Sequence, residues 1–410
     1  MSILTATRHW SLRDTLDLAL IATAHGLSDG FDDVLVPVLP LIVGELGLST
    51  VEAGLLLSVR SVSKTLLLYP LSMLADVTGR KKGLLIAGLA VSAAAYLAMG
   101  GANQFWALLL LAFLSGVGNA TYHPCGTAIA AQRFAHRRAA AISLHGLGGN
   151  IGASLMPLLQ SAVIAAAGVT GGSGWRAAIA ACALPAVPLL PLVGIRFPGR
   201  AERQDGDRAG RGRPAWSSLT GRVLRNRNVV LLALVYALKG LGSKGLIGLL
   251  PLLATERFGM DAASIGVVVA VYFTVGIFSK ALMGWLYNRW GARLALLVPL
   301  LLGGALALGI GLLPWQPLLL PLAALMGVVS PISPIILTAA ADLCDEEVLA
   351  SSVGAIYTAY GLGFLSPLIG ALLAARLGWA TSYGFFAAAT WVAGGVALGL
   401  PGAQKGEPLE

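Results

Sequence analysis

Twelve long apolar stretches dominate this sequence, and they restrict the possible folds more than any other feature. A helix that crosses a bilayer needs about 20 mostly apolar residues, whereas an ordinary surface helix is apolar along one side only. We number the stretches as spans 1 to 12, and their approximate bounds are residues 15–43, 51–75, 83–101, 104–131, 138–168, 176–196, 228–254, 263–287, 292–313, 316–341, 349–373 and 378–400. They predict an all-α membrane protein with twelve transmembrane helices.

The composition excludes the main soluble classes of protein. Only 11% of the 410 residues are charged, against about 25% in an ordinary soluble domain. The 52 glycines fit closely packed membrane helices. The three cysteines, Cys125, Cys182 and Cys344, form no CxxC pair, so the sequence supports neither a disulfide framework nor a cysteine-based zinc site.

The positive charges are distributed as in a protein whose N-terminus lies in the cytoplasm. With that orientation, 20 of the 28 Lys and Arg residues fall on the cytoplasmic side, three on the outer side and five within spans. This asymmetry follows the positive-inside rule and predicts that both termini are cytoplasmic. We expect span 1 to be retained, because no cleavable signal peptide is evident. The net charge of +9 then reflects membrane topology, and we expect the lipid bilayer as a partner and no nucleic acid.

A polar segment and an internal repeat divide the chain into two halves. Residues 197–227 are rich in Gly and charge, which predicts a cytoplasmic linker between residues 1–196 and 228–400, with a cytoplasmic tail at 401–410. Short matches recur at an offset of 211 or 212 residues: Leu39-Pro40-Leu41 with Leu250-Pro251-Leu252, Glu45 with Glu256, Gly54 with Gly266, Asp76 with Asn288, and Gly79 with Gly291. They predict two six-helix halves related by pseudo-symmetry.

The segment between spans 2 and 3 resembles a signature of the major facilitator superfamily. The family pattern G-x-L-a-D-r-x-G-r-[KR]-[KR] aligns with Ser72-Met73-Leu74-Ala75-Asp76-Val77-Thr78-Gly79-Arg80-Lys81-Lys82, and Ser72 replaces the first glycine. Residues 284–293 are a looser second copy. The resemblance implies a transporter, not an enzyme, whose halves rock about a midplane site. It also implies that Asp76 and Arg80 are gating residues, which close the cytoplasmic side through contacts with the start of span 11.

A narrower resemblance involves spans 4 and 5. The motifs Tyr122-His123-Pro124-x-Gly126 and Gly148-Gly149-Asn150-x-Gly152, followed by Pro157, resemble the fosmidomycin-resistance branch of that superfamily. This resemblance implies a monomer in a bacterial inner membrane that exports a drug or an organic anion. The span 4 Arg motif of many proton-coupled drug antiporters is missing, with Ala112 at the position of its Arg. The departure argues against their standard antiport mechanism.

Ionisable side chains inside the spans indicate a polar cavity, because each costs about 2.5–3.5 kcal/mol to insert into a bilayer. Away from the ends of the spans they are His25, Asp29, Asp32 and Asp33 in span 1, Arg60 and Lys64 in span 2, His123 in span 4, His145 in span 5, Lys239 and Lys244 in span 7, and Lys280 in span 8. Among these interior residues, five cations against three carboxylates favour an anionic substrate. We predict that the substrate-binding residues are Arg60, Lys64, His123, Lys239 and Lys244.

Other interpretations of the same residues remain open. Arg60 and Lys64 also fit structural ion pairs with the aspartates of span 1, and His123 also fits a packing position beside a proline kink. An acidic first half facing a basic second half would suit a zwitterionic substrate. The alternative functions are uptake of a nutrient anion and, in another class, a non-transporting membrane sensor or scaffold.

The energy source is predicted to be an ion gradient, since the sequence has no ATP-binding motif and no other cofactor is expected. A carboxylate near the middle of the membrane can change charge by binding a proton, so we predict Asp29 and Asp33 as proton-coupling residues. His25, Asp29 and Asp32 imitate a metal cluster, but no HExxH motif or nucleophile accompanies them. We therefore predict neither a metal site nor a catalytic residue. The combined prediction is a secondary active transporter that exports a small organic anion or drug by alternating access, coupled to protons.

Overall fold

The computed structural model describes residues 11–134, 137–166, 174–197, 224–343 and 349–402. These residues form sixteen α-helices and two short 3-10 turns. The helices are α1 (Leu12–Asp32), α2 (Leu35–Leu46), α3 (Thr50–Thr78), α4 (Lys81–Met99), α5 (Phe105–Asn119), α6 (Tyr122–Arg133), α7 (Arg138–Ala166), α8 (Gly174–Ala183), α9 (Ala186–Arg196), α10 (Arg227–Phe258), α11 (Ala262–Leu312), α12 (Leu319–Val329), α13 (Ser333–Leu343), α14 (Leu349–Gly361), α15 (Ser366–Leu377) and α16 (Trp379–Ala397).

The helices account for all twelve predicted spans. Judged by length and apolarity alone, eight helical segments of the described residues are capable of crossing a bilayer. One of them, the 51-residue α11, turns at Gly291 and therefore covers spans 8 and 9. Span 1 is formed by α1 and α2, span 2 by α3, and span 12 by α16. The charged residues within spans 1 and 2 lower the mean hydropathy of those two spans. The all-helical prediction is confirmed.

Five spans consist of two helices where the sequence suggested one, and proline explains each break. The ring of a proline crowds the carbonyl four residues earlier and supplies no N–H to it. Breaks at residues 33–34, 120–121, 184–185, 330–332 and 362–365 each lie just before one such proline, namely Pro37, Pro124, Pro188, Pro334 and Pro367. Span 1 is therefore formed by two helices, α1 and α2, which together extend over the predicted residues 15–43.

Side chains and backbone donors satisfy the carbonyls that the first break releases. Val36 N–H donates to Asp33 O at 3.0 Å, and the buried Gln160 Nε2 donates to Val34 O at 2.7 Å. A buried carbonyl without a partner would be costly at membrane depth. The kink in span 1 is thus built into the structure by Pro37 and Gln160 together.

The described helices group into two compact units. Unit 1 comprises Met1–Ser49, Val59–Asp207 and Met260–Ala270, and unit 2 comprises Thr50–Ser58, Arg208–Gly259 and Val271–Glu410. Each unit therefore holds most of one sequence half and a short segment from the other. The linker predicted at 197–227 lies largely outside the described residues, and the predicted domain boundaries stay a prediction.

The internal repeat includes a glutamate–tryptophan hydrogen bond that occurs once within each unit. In unit 1, Glu45 accepts a hydrogen bond from Trp175 Nε1 at 2.5 Å, and the neighbouring Arg176 donates to the carbonyls of Gly100 and Ala102. These carbonyls follow α4, so the guanidinium satisfies acceptors that a helix end leaves open.

Unit 2 repeats the glutamate–tryptophan contact with its own residues, since Glu256 accepts from Trp379 Nε1 at 2.8 Å. An arginine again donates to a carbonyl near a helix end, Arg257 to Gly311 O at 2.7 Å, but here the arginine follows the glutamate and not the tryptophan. The glutamates are one of the pairs that define the sequence offset. The repeat therefore extends from sequence matches to hydrogen bonds.

Glycines with positive φ end or turn helices at matching positions of the two units. Gly47 and Gly259 both have φ 63°, and Gly79 and Gly291 have φ 66° and 69°. At Gly291 the ψ angle is 176°, which places the residue in a region that only glycine adopts readily. The turn inside α11 therefore requires glycine.

We expect Gly291→Ala to destabilise the protein, because a side chain in this backbone region costs about 1–3 kcal/mol. Thermal unfolding of the purified protein in detergent micelles, followed by circular dichroism, measures the effect as a lower melting temperature. Gly284→Ala is the matched control, since it lies in the same helix with open space around its added Cβ atom. Equal melting temperatures for both variants would contradict the backbone argument.

Candidate functional site

Glycines bring α1 and α7 of unit 1 into backbone contact. A Cβ atom at Gly26 would lie 2.9 Å from Gly148 O and 3.5 Å from the Cα atom of Gly152. Gly148 and Gly152 are four residues apart, the spacing that lets membrane helices approach closely. Because the two backbones touch, side chains next to these glycines on α1 and α7 come into direct contact.

One group at this crossing consists of His25, Asp29 and His123, which we call the histidine–aspartate cluster. His25 Nε2 lies 3.4 Å from Asp29 Oδ2, and His123 Nε2 lies 3.5 Å from Asp29 Oδ1. His25 Nδ1 lies 2.8 Å from His145 O, and the two imidazole rings stack at 4.2 Å. Helices α1, α6 and α7 thus hold the cluster from three directions.

A second group, the cation cluster, consists of Asp32, Arg60, Lys64 and Tyr96. The Asp32 carboxylate accepts from Arg60 at 2.6 Å and from Lys64 Nζ at 2.6 and 2.8 Å. Arg60 Nε also donates to Tyr96 Oη at 2.9 Å, and this hydroxyl donates to Phe31 O. Two cations therefore share one carboxylate.

Lys64 connects the two groups. Its Nζ atom lies 3.5 Å from His123 Nε2 as well as against Asp32. The connected set holds two carboxylates, Asp29 and Asp32, and two permanent cations, so its formal charge is zero apart from the imidazoles. Arg60 is only 5% exposed, whereas the His123 side chain is 38% exposed. The group is accessible at its histidine end.

Unit 2 contributes two lysines in α10. The Nζ atom of Lys239 lies 3.3 Å from Ser330 Oγ, and this hydroxyl also contacts Tyr272 Oη at 2.8 Å. Lys239 is 6% exposed, and no described carboxylate pairs with it. Lys244 Nζ lies 4.9 Å from the centre of the Tyr360 ring, a cation–π contact.

The predicted site residues fall into separate places within the two units. Asp29, Arg60, Lys64 and His123 lie in the connected set of unit 1, and both lysines lie in unit 2 as described above. Asp33 follows the end of α1 and is partly buried. Their roles in substrate binding and proton coupling stay predictions.

The predicted gating residues lie at the turn between α3 and α4. Asp76 is in the last turn of α3, and its side chain lies outside the described part of the structure. Arg80 is exposed and precedes α4. Residues 344–348, before α14, are also outside the described ranges, so the gating role stays a prediction.

Sequence reasoning missed a buried ion-pair network at the beginning of α1. Asp17 is 1% exposed, lies 2.8 Å from Arg133 and also accepts from Arg196 Nε. Arg133 pairs with Asp14 as well, and a hydrogen bond from the Ser11 hydroxyl holds the pKa of Asp14 below its usual value. Asp17 has no sequence signal beyond its place among apolar residues.

Two tyrosines have a structural role that the sequence did not assign: Tyr96, and Tyr122, which was named only as part of the span 4 motif. Both rings are fully buried, and their hydroxyls donate to the backbone of span 1, at Phe31 O and Ile21 O. They join α4 and α6 to the helix that carries the aspartates. An isolated tyrosine in an apolar helix gave no indication of this role.

Comparison with known proteins identifies the fold and the sequence family. A sequence profile described as Major Facilitator Superfamily matches residues 19–363 and, a second time, residues 232–409. Among solved structures, an inward-facing bacterial homologue of the human lysosomal transporter Spinster superimposes with a TM-score of 0.76 at 15% identity, covering 95% of this chain and 96% of the other. A D-xylose-proton symporter superimposes with a TM-score of 0.75 at 15% identity, covering 93% and 97%.

Curated relatives are similar over shorter segments. The fosmidomycin resistance protein of Escherichia coli is 28% identical over 36% of each chain, and the bacillibactin exporter of Bacillus subtilis is 32% identical over 36% of this chain and 39% of its own. These matches thus span little more than a third of either relative. The class G tetracycline resistance protein of Vibrio anguillarum is 29% identical over 71% of this chain and 74% of its own.

We expect Gly149→Ala to displace the histidine–aspartate cluster, because its Cβ atom would lie 2.9 Å from two atoms of the His25 ring and still closer to Asp29 Oδ2. Nitrogen-15 NMR of the histidine side chains measures the change as shifted His25 signals, which His25→Gln assigns. Gly146→Ala, three residues earlier with nothing near its Cβ atom, should leave the spectrum unchanged. Identical spectra for both glycine variants would contradict the described packing.

Proposed function

The chain belongs to the major facilitator superfamily, and from that premise we propose that it exports a small organic anion or drug, driven by a proton gradient. Membership makes it a multi-pass integral membrane protein and a secondary transporter, not an enzyme. The substrate, the direction and the coupling ion are the proposed parts.

The environment of Lys239 is the main observation in favour of an anionic substrate. Its ammonium is buried in a membrane-spanning helix and contacts the Ser330 hydroxyl, with no carboxylate partner among the described residues. A buried cation is costly without an opposite charge. A substrate carboxylate, phosphate or phosphonate supplies that charge, and Ser330 and Tyr272 offer hydroxyls beside it.

The cation cluster of unit 1 supports the same substrate class. Arg60 and Lys64 share the one carboxylate of Asp32, so neither cation has a partner of its own. A guanidinium is suited to two-point recognition of carboxylate and phosphate groups. The structural ion-pair interpretation of these residues describes the resting protein, and an anion that binds here competes with Asp32 for them.

The proposed direction of transport rests on the names of similar curated proteins. One similar curated protein is named as an exporter, and two others are named for resistance to fosmidomycin and to tetracycline. Export is the direction that fits these three names together. Uptake of a nutrient anion is the alternative, and a zwitterion is the alternative substrate. Protons are the proposed coupling ion, with both termini on the cytoplasmic side of a bacterial inner membrane.

Transport in membrane vesicles tests the proposal directly. Everted vesicles that contain the protein should accumulate fosmidomycin, bacillibactin or tetracycline when a proton gradient is imposed, and collapse of the gradient should release the compound. Accumulation in right-side-out vesicles would support uptake instead. Accumulation that follows a sodium gradient and ignores pH would exclude protons as the coupling ion.

We expect Lys239→Gln to weaken binding of the transported anion at least tenfold. A charged hydrogen bond contributes about 1.5–3 kcal/mol, which corresponds to tenfold or more in affinity. Calorimetric titration of the purified protein with fosmidomycin measures the dissociation constant. Lys239→Arg keeps the charge and should retain most of the affinity, and Lys280→Gln removes an intramembrane lysine that lies outside the predicted site. Wild-type affinity in all four single variants Arg60→Gln, Lys64→Gln, Lys239→Gln and Lys244→Gln would refute the basic site.

We expect Asp76→Asn to slow transport and leave equilibrium binding of the anion nearly unchanged. The resemblance of its segment to the superfamily signature assigns Asp76 to the conformational change and not to the substrate. Vesicle flux and calorimetric titration measure the two properties separately. Asp261→Asn, which removes a carboxylate before the first residue of α11, serves as the control. Lost binding with an unaltered conformational equilibrium would contradict the gating role.

A further inference from the structure

We propose that His25, Asp29 and His123 bind a divalent transition-metal ion of the Zn²⁺ type within unit 1. The three residues offer one ligand atom each from α1 and α6, and these atoms all lie within 4.8 Å of one another. Two imidazoles and one carboxylate are a ligand set that zinc and its neighbours accept in proteins. The proposal does not depend on which anion the protein transports.

The hydrogen bonds around His25 direct a lone pair into the cluster. A carbonyl can only accept, so the contact between His25 Nδ1 and His145 O places the ring proton on Nδ1. In the neutral ring the Nε2 atom then carries the lone pair, and it faces the Asp29 carboxylate at 3.4 Å. His25 is 9% exposed, and its Nε2 atom has no hydrogen-bond partner among the described residues.

His123 presents a second lone pair to the same carboxylate. An ammonium can only donate, so the contact with Lys64 makes His123 Nε2 an acceptor. This atom faces Asp29 Oδ1 at 3.5 Å, and Asp29 Oδ1 is buried and lacks a hydrogen-bond partner in the described residues. With both imidazoles neutral, two nitrogen lone pairs thus lie beside an acceptor carboxylate, and a cation bound among the three groups would relieve their mutual repulsion.

The spacing of the three atoms fits a metal ion. Zinc binds imidazole nitrogen and carboxylate oxygen at about 2.0–2.2 Å, so neighbouring ligands of a tetrahedral site lie about 3.3–3.6 Å apart. His25 Nε2 lies 3.4 Å from Asp29 Oδ2 and His123 Nε2 lies 3.5 Å from Asp29 Oδ1, so each imidazole is at that distance from one oxygen of the carboxylate. With one ligand atom taken from each residue, the three atoms lie within 4.8 Å of one another, and binding of the ion would draw them closer. Three protein ligands leave a fourth position open, and the 38% exposed side chain of His123 marks the side where it is accessible.

The surroundings supply the supports that metal ligands need. A backbone carbonyl on the far nitrogen of a ligating histidine fixes its tautomer and its ring orientation, and His145 O does this for His25. Gly149 lies against Asp29 and His25, so no side chain occupies that face of the cluster. Asp32 accepts two short hydrogen bonds from Lys64, whereas the contact of the ammonium with His123 Nε2 is long, at 3.5 Å. A metal ion on His123 Nε2 would replace that long contact, and Asp32 would still hold the ammonium.

Cobalt binding to the purified protein tests the site. Co²⁺ in a four-coordinate site absorbs visible light far more strongly than hydrated Co²⁺, so titration of the tag-free protein in micelles reports both occupancy and geometry. We expect one Co²⁺ per chain, displaced by equimolar Zn²⁺. Binding should weaken more than a hundredfold in Asp29→Asn and in His123→Gln, and Asp33→Asn, on the same span, should bind as the wild type does.

Two further variants keep the result decisive. His123→Cys retains a metal ligand, so it should bind Co²⁺ with a new sulfur-to-cobalt charge-transfer band and should prefer Cd²⁺, a signature that misfolding cannot produce. His9→Gln with His136→Gln removes two of the three histidines outside the cluster, keeps His145, and should leave binding intact. Absence of a stoichiometric Co²⁺ signal in the wild type, or a signal that only the His9 and His136 variants abolish, would overturn the site. If His25 and Asp29 share only a proton and bind no metal ion, the wild-type protein will give no stoichiometric Co²⁺ signal.

The assay separates this inference from the proposed function. Cobalt spectra need neither a substrate nor a membrane gradient, so a failed metal site leaves anion export untouched. Conversely, vesicles that transport no anion would leave the cobalt result unchanged.

Discussion

The backbone contact between α1 and α7 is the constraint on which the site depends. In hydrocarbon, helices gain no hydrophobic advantage from association, so close packing and interhelical hydrogen bonds must hold them. Gly26, Gly148 and Gly152 permit that packing, and a methyl group at any of them would meet backbone atoms of the other helix. The same approach brings His145 against His25 and leaves Gly149 beside Asp29. The glycines therefore determine which polar groups meet.

The described intramembrane cations Arg60, Lys64 and Lys239 differ in whether a carboxylate lies beside them. Arg60 and Lys64 stay charged at low cost because Asp32 neutralises part of their charge and Tyr96 accepts from the guanidinium. Lys239 has only a hydroxyl beside it in the described structure. A protein built for stability alone would remove such a lysine, since a buried unpaired charge is strongly destabilising. Its presence is thus better explained by a ligand than by folding.

Much of the fold followed from sequence, whereas the site followed only in part. Apolar length and the offset repeat were sufficient for twelve helices and two similar halves, because both properties are local or periodic. The break before Pro37 was missed, although the proline rule that explains it is also local. The sequence did not determine which of the three aspartates in span 1 pairs with Arg60 and Lys64. The pairing depends on the rotation of α1 about its axis and on the kink after Asp32, and neither can be derived from spacing along the chain. The meeting of His25 with His123 depends on contacts between helices, which no spacing along one chain reveals.

Lys64 links the two groups of unit 1 electrostatically. Its ammonium contacts the Asp32 carboxylate and lies 3.5 Å from His123 Nε2. Two unit charges 4 Å apart interact by about 4 kcal/mol at an effective dielectric constant of about 20. If the proposed metal ion were bound by His25, Asp29 and His123, it would disfavour the nearby ammonium, and an anion bound at Lys64 would offset that repulsion. Each proposed ligand would then raise the affinity of the other by the same factor, since thermodynamic coupling is reciprocal.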